Sequence, residues 1–175
     1  QTQLIEKMRD AYLLNDLRMK LEKSLSTLEK KDEQPETLKK MIEQYLLLGK
    51  VLNQLGKYSD ALEFYKKCHK CIESIKTEDM SLALANLYSG YGLAYDNLVN
   101  YKEAIEYYTK SLKIKSKKYG KESLLVTDVY NSLANIFCKQ GKYNDALEYS
   151  NKSLSIYKKA YGAQHPNLVL AYNTI

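Results

Sequence analysis

One ten-residue pattern recurs three times at a nearly constant spacing and limits what this chain can fold into. The three copies read GKYSDALEFY (56–65), VNYKEAIEYY (99–108) and GKYNDALEYS (141–150). Their shared alanines, Ala61, Ala104 and Ala146, are separated by 43 and 42 residues. A repeat of this kind predicts a stack of similar units, each packed on its neighbours, rather than one independent core.

A second pattern precedes each copy, with large residues at positions i, i+3 and i+7 and a small residue beside the middle one. Its members are Tyr45, Leu48, Gly49 and Leu52; Tyr88, Tyr91, Gly92 and Tyr95; and Tyr130, Leu133, Ala134 and Phe137. This spacing is one face of an amphipathic helix. A short polar break follows, and then the Tyr/Ala segment, which has its own helical period. Each unit is therefore predicted to be two antiparallel helices, an inner and an outer one.

Two glycines lie unexpectedly within a predicted inner helix. A glycine inside a helix costs about 1 kcal/mol relative to alanine. Gly92 belongs to the repeated small position, and we expect it to face the outer-helix alanine so that the two helices approach closely. Gly90 lies outside that position. It is either simply tolerated, or it widens the surface beside Ser89 for a ligand.

The combined pattern, Tyr-x2-Leu-Gly-x2-Leu followed by Ala-x3-Tyr, resembles the tetratricopeptide repeat, whose signature is W-x2-L-G-x2-Y with A-x3-F. The resemblance covers about residues 38–175, with a further unit opening at Tyr172. Tyrosine replaces the usual tryptophan, and Ser150 departs from the aromatic position. The period of 42–43 exceeds the usual 34, and the YG-x-x-HP segment at 161–166 resembles the long-repeat subclass of the kinesin light chain, a cargo adaptor.

The resemblance implies an all-α fold, a right-handed α-solenoid of antiparallel helix pairs with an extra N-terminal helical segment. We expect that segment to span 1–34 and the array to span 35–175. The units are expected at about 38–80, 81–122 and 123–164, with a truncated fourth from 165. Because the chain begins at Gln1 and ends inside the pattern, we expect it to be a fragment of a longer protein.

The N-terminal segment lacks the repeat signature and carries an interrupted leucine stripe at Leu14, Leu17, Leu21 and Leu28. Two interpretations are open. The first is one or two helices that cap the apolar end of the solenoid, as terminal units require. The second is a coiled-coil or partner helix, although the stripe is shorter than a sustained seam.

Charge and hydropathy are those of an ordinary globular chain, with 45% hydrophobic and 27% charged residues and a net charge of +6. The densest basic run contains Lys110, Lys113, Lys115, Lys117, Lys118 and Lys121. We interpret it as a solvated face near a helix C-terminus, where lysines complement the helix dipole, rather than as a phosphate-binding patch. No apolar run approaches the roughly 18 residues of a membrane span.

No motif for catalysis, cofactor or metal binding is present, so we predict neither an enzyme nor a cofactor nor a metal site. Cys68 and Cys71 form CHKC, but no second cysteine pair accompanies them. We expect packed, reduced thiols and a cytoplasmic location. His165 precedes Pro166, which is well placed to open a helix, and is interpreted as structural.

The concave face of a solenoid suits an extended peptide or a partner helix. Inner-helix positions that avoid the packing face are predicted to line this groove. They are Glu43, Leu46, Lys50, Asn53, Asn86, Ser89, Leu93, Asp96, Asn97, Asp128, Asn131, Asn135, Lys139 and Asn173. Asn131, Asn135 and Asn173 form an amide ladder that is expected to clamp a peptide backbone, since an amide both donates and accepts hydrogen bonds. The alternative is that they are solvated polar positions.

The co-chaperone modules of the resembled family use lysine and arginine in such positions to clamp a terminal carboxylate. Here Leu46, Ser89 and Asn131, followed by Leu47, Gly90 and Ser132, occupy them. The sequence therefore predicts a protein-interaction scaffold or adaptor for a protein or peptide partner, without a carboxylate clamp. The alternatives are a peptide-sensing regulator with an output region elsewhere and, less well supported, an RNA-binding helical repeat.

Overall fold

The computed structural model describes residues 2–31, 34–75 and 80–162. Seven α-helices run through these ranges, and no β-strand occurs in them. The helices are α1 (Thr2–Leu28), α2 (Pro35–Gln54), α3 (Tyr58–Ile75), α4 (Ser81–Asn97), α5 (Tyr101–Tyr119), α6 (Thr127–Lys139) and α7 (Tyr143–Tyr161). A short 3-10 segment, Leu124–Val126, precedes α6.

The helices α2 to α7 form three inner and outer pairs, α2/α3, α4/α5 and α6/α7, and the pairs stack in sequence. Each outer helix begins at the repeated tyrosine, Tyr58, Tyr101 or Tyr143. The inner helices α2, α4 and α6 lie next to one another. The all-α, right-handed solenoid of antiparallel helix pairs that the repeat predicts is confirmed.

The repeated alanines occupy equivalent positions in the packing. Ala61 and Ala104 are 0% exposed and Ala146 is 2% exposed. The inner-helix leucines Leu48 and Leu133 are equally buried. Residues 42 or 43 apart therefore meet similar surroundings, as a repeat array requires.

The small position of the inner helix faces a tyrosine ring rather than the alanine we expected. A Cβ atom on Gly92 would lie 2.8 Å from the ring of Tyr108. A Cβ atom on Gly49 would lie at least as close to the ring of Tyr65. In the third unit the small residue is Ala134, and the residue in the ring position is Ser150, which is 1% exposed. Glycine is thus paired with tyrosine twice, and alanine with serine once, because the ring leaves no room for a methyl group.

Gly90 has a packing reason that neither interpretation of the sequence supplied. A Cβ atom at this position would lie 2.5 Å from the ring of Tyr65 and 2.7 Å from its hydroxyl. Tyr65 belongs to the preceding unit, so its ring is held between Gly49 of its own unit and Gly90 of the next. The two glycines allow one ring to join two units.

We expect Gly92→Ala to lower the free energy of unfolding by about 1–3 kcal/mol, the usual cost of overpacking. The same change made in a Tyr108→Ser background should be neutral or stabilising by up to about 1 kcal/mol, because the ring is gone and alanine is the better helix former. Urea unfolding of the four proteins in this cycle measures the coupling. If Gly92→Ala changed the free energy of unfolding equally in both backgrounds, the Tyr108 ring would not be what excludes a methyl group at this position.

The turn between inner and outer helix has the same geometry in each unit and contains one strained residue. Gly56, Val99 and Gly141 occupy the equivalent position, with φ of 73°, 64° and 72°. The next amide reaches back five residues in each case, as in the hydrogen bond from Lys57 N to Leu52 O of 2.8 Å. This is the Schellman ending of a helix, which requires a left-handed residue. Val99 adopts it despite a β-branched side chain that is 65% exposed.

We expect Val99→Gly to raise the free energy of unfolding by about 0.5–1 kcal/mol. The left-handed backbone costs a non-glycine residue roughly 1–2 kcal/mol, and the greater freedom of glycine in the unfolded chain offsets part of the gain. The matched reverse change, Gly141→Val, should be destabilising. Thermal and urea unfolding measure both, and a destabilised Val99→Gly protein would contradict the strain argument.

The helix α1 lies against α2 and covers the free side of the first unit. Leu21 and Leu25 are buried there. Just beyond α1, the Tyr45 hydroxyl donates a 2.6 Å hydrogen bond to Glu29 Oε1, and Lys67 Nζ donates to the same oxygen at 3.2 Å. The tyrosine hydrogen bond, helped by Lys67, lowers the pKa of Glu29. This packing is what a capping helix requires, and the coiled-coil alternative stays a prediction.

Candidate functional site

The inner helices face a groove that contains a cavity of about 630 Å³. Side chains of α2, α4 and α6 form most of its wall, and two tyrosines of the outer helices, Tyr65 and Tyr108, reach it from below. The cavity therefore spans three consecutive units. Because the inner helices run side by side, residues 42 or 43 apart line the groove in rows.

Eight of the fourteen residues predicted for the groove lie in the wall of this cavity. They are Glu43, Leu46, Lys50, Asn53, Asn86, Ser89, Leu93 and Asp128. Five other lining residues were not in the predicted set, namely Leu47, Tyr65, Gly90, Tyr108 and Ser132. Leu47, Gly90 and Ser132 occupy equivalent positions one residue after the predicted row, so the repeat contained a signal for them. The tyrosines reach the groove through the openings that the small residues leave.

A buried hydrogen-bond network forms the floor of the cavity between the first two units. Asn53 Nδ2 donates to the Tyr65 hydroxyl at 3.2 Å and to the Gly90 carbonyl at 3.4 Å. Asn53 is 6% exposed, and its Oδ1 has no hydrogen-bond partner among the described residues. Burial raises the pKa of Tyr65 above its ordinary value, so the hydroxyl stays neutral. Asn53 thus links two units, and it also lies in the cavity wall, as predicted for a groove position.

Tyr108 occupies the corresponding place between the second and third units. It is 3% exposed, and burial raises its pKa to about 12, although a hydrogen bond with Ser132 acts in the opposite direction. Ser132 takes the position that Gly90 has one unit earlier. A neutral tyrosine hydroxyl therefore lies under the groove at both unit junctions.

Two ion pairs tie the second unit to the third, one at each side of the groove. Lys139 Nζ lies 2.8 Å from both carboxylate oxygens of Asp96, which is 8% exposed. Lys115 Nζ lies 2.8 Å from Asp128 Oδ2, and here the lysine is buried, with a side chain only 6% exposed. Two expectations are corrected by this. Asp96 is a buried residue instead of a free groove residue, and Lys115 does not belong to the solvated basic face.

The predicted amide ladder lies outside the cavity. Asn131 is half-buried, with an Oδ1 that has no hydrogen-bond partner among the described residues, and Asn135 is exposed. Asn97 is exposed and donates to the Leu93 carbonyl of its own helix at 2.8 Å. Asn173 falls beyond the described residues, as do Tyr172 and His165. The cavity is centred one unit earlier than the ladder.

Chemistry-bearing groups are few within the described ranges. No cluster of three or more histidine, cysteine, aspartate or glutamate residues is arranged to hold a metal ion there. Cys68 and Cys71 are buried thiols outside any disulfide, and burial raises the pKa of Cys68 to about 12, which keeps it protonated. Among the helices of the described residues, none combines the length and hydrophobicity needed to cross a membrane.

Comparison with known proteins places these observations in a family. The model of the tetratricopeptide repeat matches residues 42–117 and 125–175, well over half of the chain. The chain belongs to the tetratricopeptide repeat family. Repeats of this family generally serve as scaffolds for protein–protein interaction. No curated protein sequence gives a significant match.

Solved tetratricopeptide-like structures share the fold at low identity. BtubC (BKLC) of P. vanneervenii superposes with a TM-score of 0.74 at 23% identity, over 91% of this chain and 63% of its own. Apo RapI gives 0.71 at 21% identity, over 93% of this chain and 41% of its own. A putative kinesin light chain of Podosopora anserina with nearly identical TPR-like repeats gives 0.64 at 17%, over 96% and 83%. The similarity to kinesin light chain repeats that the long period suggested is confirmed.

The two ion pairs differ in which member is buried, and in each we expect the larger loss of stability when the exposed member is replaced. Lys139→Met leaves the buried Asp96 carboxylate unpaired. Removing one member of a fully buried pair costs about 3–5 kcal/mol, and because Lys139 is 36% exposed we expect about 1–3 kcal/mol. Asp96→Asn leaves a solvated ammonium and should cost less. For the other pair Asp128→Asn should cost more than Lys115→Met, because the buried member there is the lysine.

Urea unfolding of the four single variants at pH 7 measures these differences. If the two variants of an ion pair lost the same free energy of unfolding, the burial of one member would not explain the cost of replacing the other.

Proposed function

We propose that the chain is an adaptor that binds an extended peptide or a partner helix in the groove of its inner helices. The observation that carries this proposal is the 630 Å³ cavity, which crosses three units and whose wall includes the exposed side chains of Glu43, Leu47, Lys50, Asn86 and Leu93. A fold-building role would place such side chains against a neighbouring helix. Here they face an opening of the size that ligand sites have.

Apolar contact is the main contribution that the groove offers a partner. Leu47 and Leu93 are 43% and 40% exposed, although both lie on inner helices that are otherwise packed. Half-buried Leu46 lies beside them in the cavity wall. Gly90 lies in the same wall and presents no side chain of its own. An apolar side chain of a partner fits there, and burying leucine surface favours binding.

Polar groups around these leucines supply direction. Asn86 is exposed on the wall and offers both a donor and an acceptor to a peptide backbone. Glu43 and Lys50 lie about 10 Å apart along α2, since a helix rises about 1.5 Å per residue. Neither has an ion-pair partner among the described residues, whereas Asp128 is paired with Lys115. We therefore expect a partner segment with an apolar anchor between a basic and an acidic residue.

Selection of a random 12-residue peptide library on the immobilised chain tests this proposal. The Kd of a selected peptide is then measured by calorimetry for the parent chain and for the Leu47→Ser/Leu93→Ser variant. We expect the variant to lose about 2 kcal/mol, roughly 30-fold in Kd, because each half-exposed leucine contributes about 1 kcal/mol. The matched control is Leu125→Ser, a leucine that is 49% exposed outside the groove and should bind the peptide unchanged.

Two outcomes would contradict the groove assignment. One is that no peptide is enriched. The other is that selected peptides bind the Leu47→Ser/Leu93→Ser variant as tightly as the parent but lose affinity for Leu125→Ser. Circular dichroism of each variant separates a lost site from a lost fold.

The same groove serves the alternative role of a peptide-sensing regulator, which differs only in what the bound peptide controls. The cytoplasmic location that we also propose is supported by the two buried thiols of α3, Cys68 and Cys71, which form no disulfide, since reduced thiols persist in that compartment.

A further inference from the structure

A cleft on the other side of the solenoid gathers four lysines. It lies along the outer helices α5 and α7, has a volume of about 660 Å³, and is lined by Lys113, Lys117, Lys121 and Lys152. It shares no lining residue with the groove of the inner helices. Any function of this cleft is therefore independent of the proposed peptide groove.

Three of these lysines have no carboxylate to pair with. Lys152 is held by Glu148, four residues earlier on the same helix. Within the described ranges no ion pair involves Lys113, Lys117 or Lys121, and all three are exposed. Elsewhere in the same basic run, two lysines are in ion pairs, and Lys118 Nζ donates to the Ser81 hydroxyl at 3.3 Å.

Lys110 pairs with Glu106, and Lys115 pairs with Asp128. Glu122, which follows Lys121 in the sequence, forms an ion pair with Lys159. The cleft thus carries three uncompensated positive charges.

The repeat itself does not require these charges. The positions equivalent to Lys113 and Lys117 are Lys70 and Ser74 in the first unit, and Ser155 and Lys159 in the third. A lysine at both positions occurs only in the middle unit, although all three units build the same helix pair. The helix dipole accounts for a lysine in the last turn, as at Lys117, but not for Lys113, which lies earlier, nor for Lys121, which follows the helix.

We infer that this cleft binds an acidic segment of a partner protein. Lysine ammonium groups act as point charges suited to carboxylates. Successive lysines four residues apart on a helix are spaced by about 6 Å, because the rise is about 1.5 Å per residue. Alternate side chains of an extended peptide repeat at nearly the same distance, about 6.6–6.8 Å. An extended segment with acidic residues at alternate positions therefore matches Lys113 and Lys117, and Lys121, which follows the helix, adds a third positive charge to the cleft.

The aromatic rings of the cleft favour an acidic peptide over a nucleic acid. Single-stranded nucleic acids bind by stacking bases on open ring faces. Tyr130 is 7% exposed. The Tyr149 ring is stacked on Phe137, with a distance of 5.5 Å between the ring centroids. Lys152 Nζ lies 4.9 Å from the centroid of the same Tyr149 ring. Tyr130 is thus buried, and the Tyr149 ring is already in contact with a second ring and a lysine.

The test uses the whole chain and a fluorescein-labelled peptide of four Asp-Ser repeats, with the Asn-Ser peptide as the uncharged control. Fluorescence anisotropy is measured at about 50 and 200 mM salt, since ionic strength screens such contacts. The triple variant Lys113→Gln/Lys117→Gln/Lys121→Gln removes the cleft charges. The matched variant Lys57→Gln/Lys70→Gln/Lys102→Gln removes three exposed lysines outside the cleft and changes the net charge equally.

We expect the parent and the matched variant to bind the Asp-Ser peptide alike, and the cleft variant to bind at least tenfold more weakly. Equal losses in both triple variants would show that only net charge attracts the peptide and would overturn the inference. So would equal binding of the Asn-Ser peptide, or failure of the Asp-Ser peptide to bind the parent at 50 mM salt. Tighter, cleft-dependent binding of an oligothymidine octamer would reassign the cleft to nucleic acid and overturn it as well.

Discussion

The contact on which the rest of this structure depends is the tyrosine ring of an outer helix lying directly over a glycine of an inner helix. Tyr65 over Gly49 and Tyr108 over Gly92 bring the two helices of a unit closer than any side chain on the glycine would allow. A glycine in mid-helix weakens that helix by about 1 kcal/mol, whereas a fully buried aromatic side chain contributes more than that. The exchange therefore favours the folded unit. In the third unit the equivalent positions hold Ala134 and Ser150, so the small residue of the inner helix carries a methyl group where the ring is absent.

The same rings connect the architecture to the groove. Each ring extends past the inner helix of its own unit and ends beneath the next unit. There the Tyr65 hydroxyl lies against Gly90 of the second unit and accepts a hydrogen bond from Asn53 of the first. The floor of the groove is therefore made of the residues that hold neighbouring units together. A ligand above it contacts a surface whose position is fixed by packing, and a rigid, preformed surface loses little entropy on binding. Groove and stacking are thus two consequences of one contact.

The sequence predicted the helices and their pairing because the packing positions repeat, and repetition can be read without coordinates. Tyr58, Tyr101 and Tyr143 each open an outer helix as the pattern indicated. The groove was harder to predict, since its positions repeat but its residue types differ from unit to unit. Asp96 was expected to be free because its helical position faces the groove, yet Lys139 of the next unit covers it. Such a contact depends on the angle between units, which the spacing of 42 or 43 residues does not specify.

This contrast between repeated and unrepeated positions also separates structure from function within one sequence. Positions that must fit a neighbour change in compensating pairs, as Gly92 with Tyr108 and Ala134 with Ser150 do. Positions that face solvent are free to differ, and in one row of the groove Lys50, Leu93 and Asn135 are cationic, apolar and amide in turn. Because packing places no demand on such a row, its chemistry is available for recognition. A solenoid can therefore change its partner without changing its fold, one surface residue at a time, while the rings and glycines beneath keep the units in register.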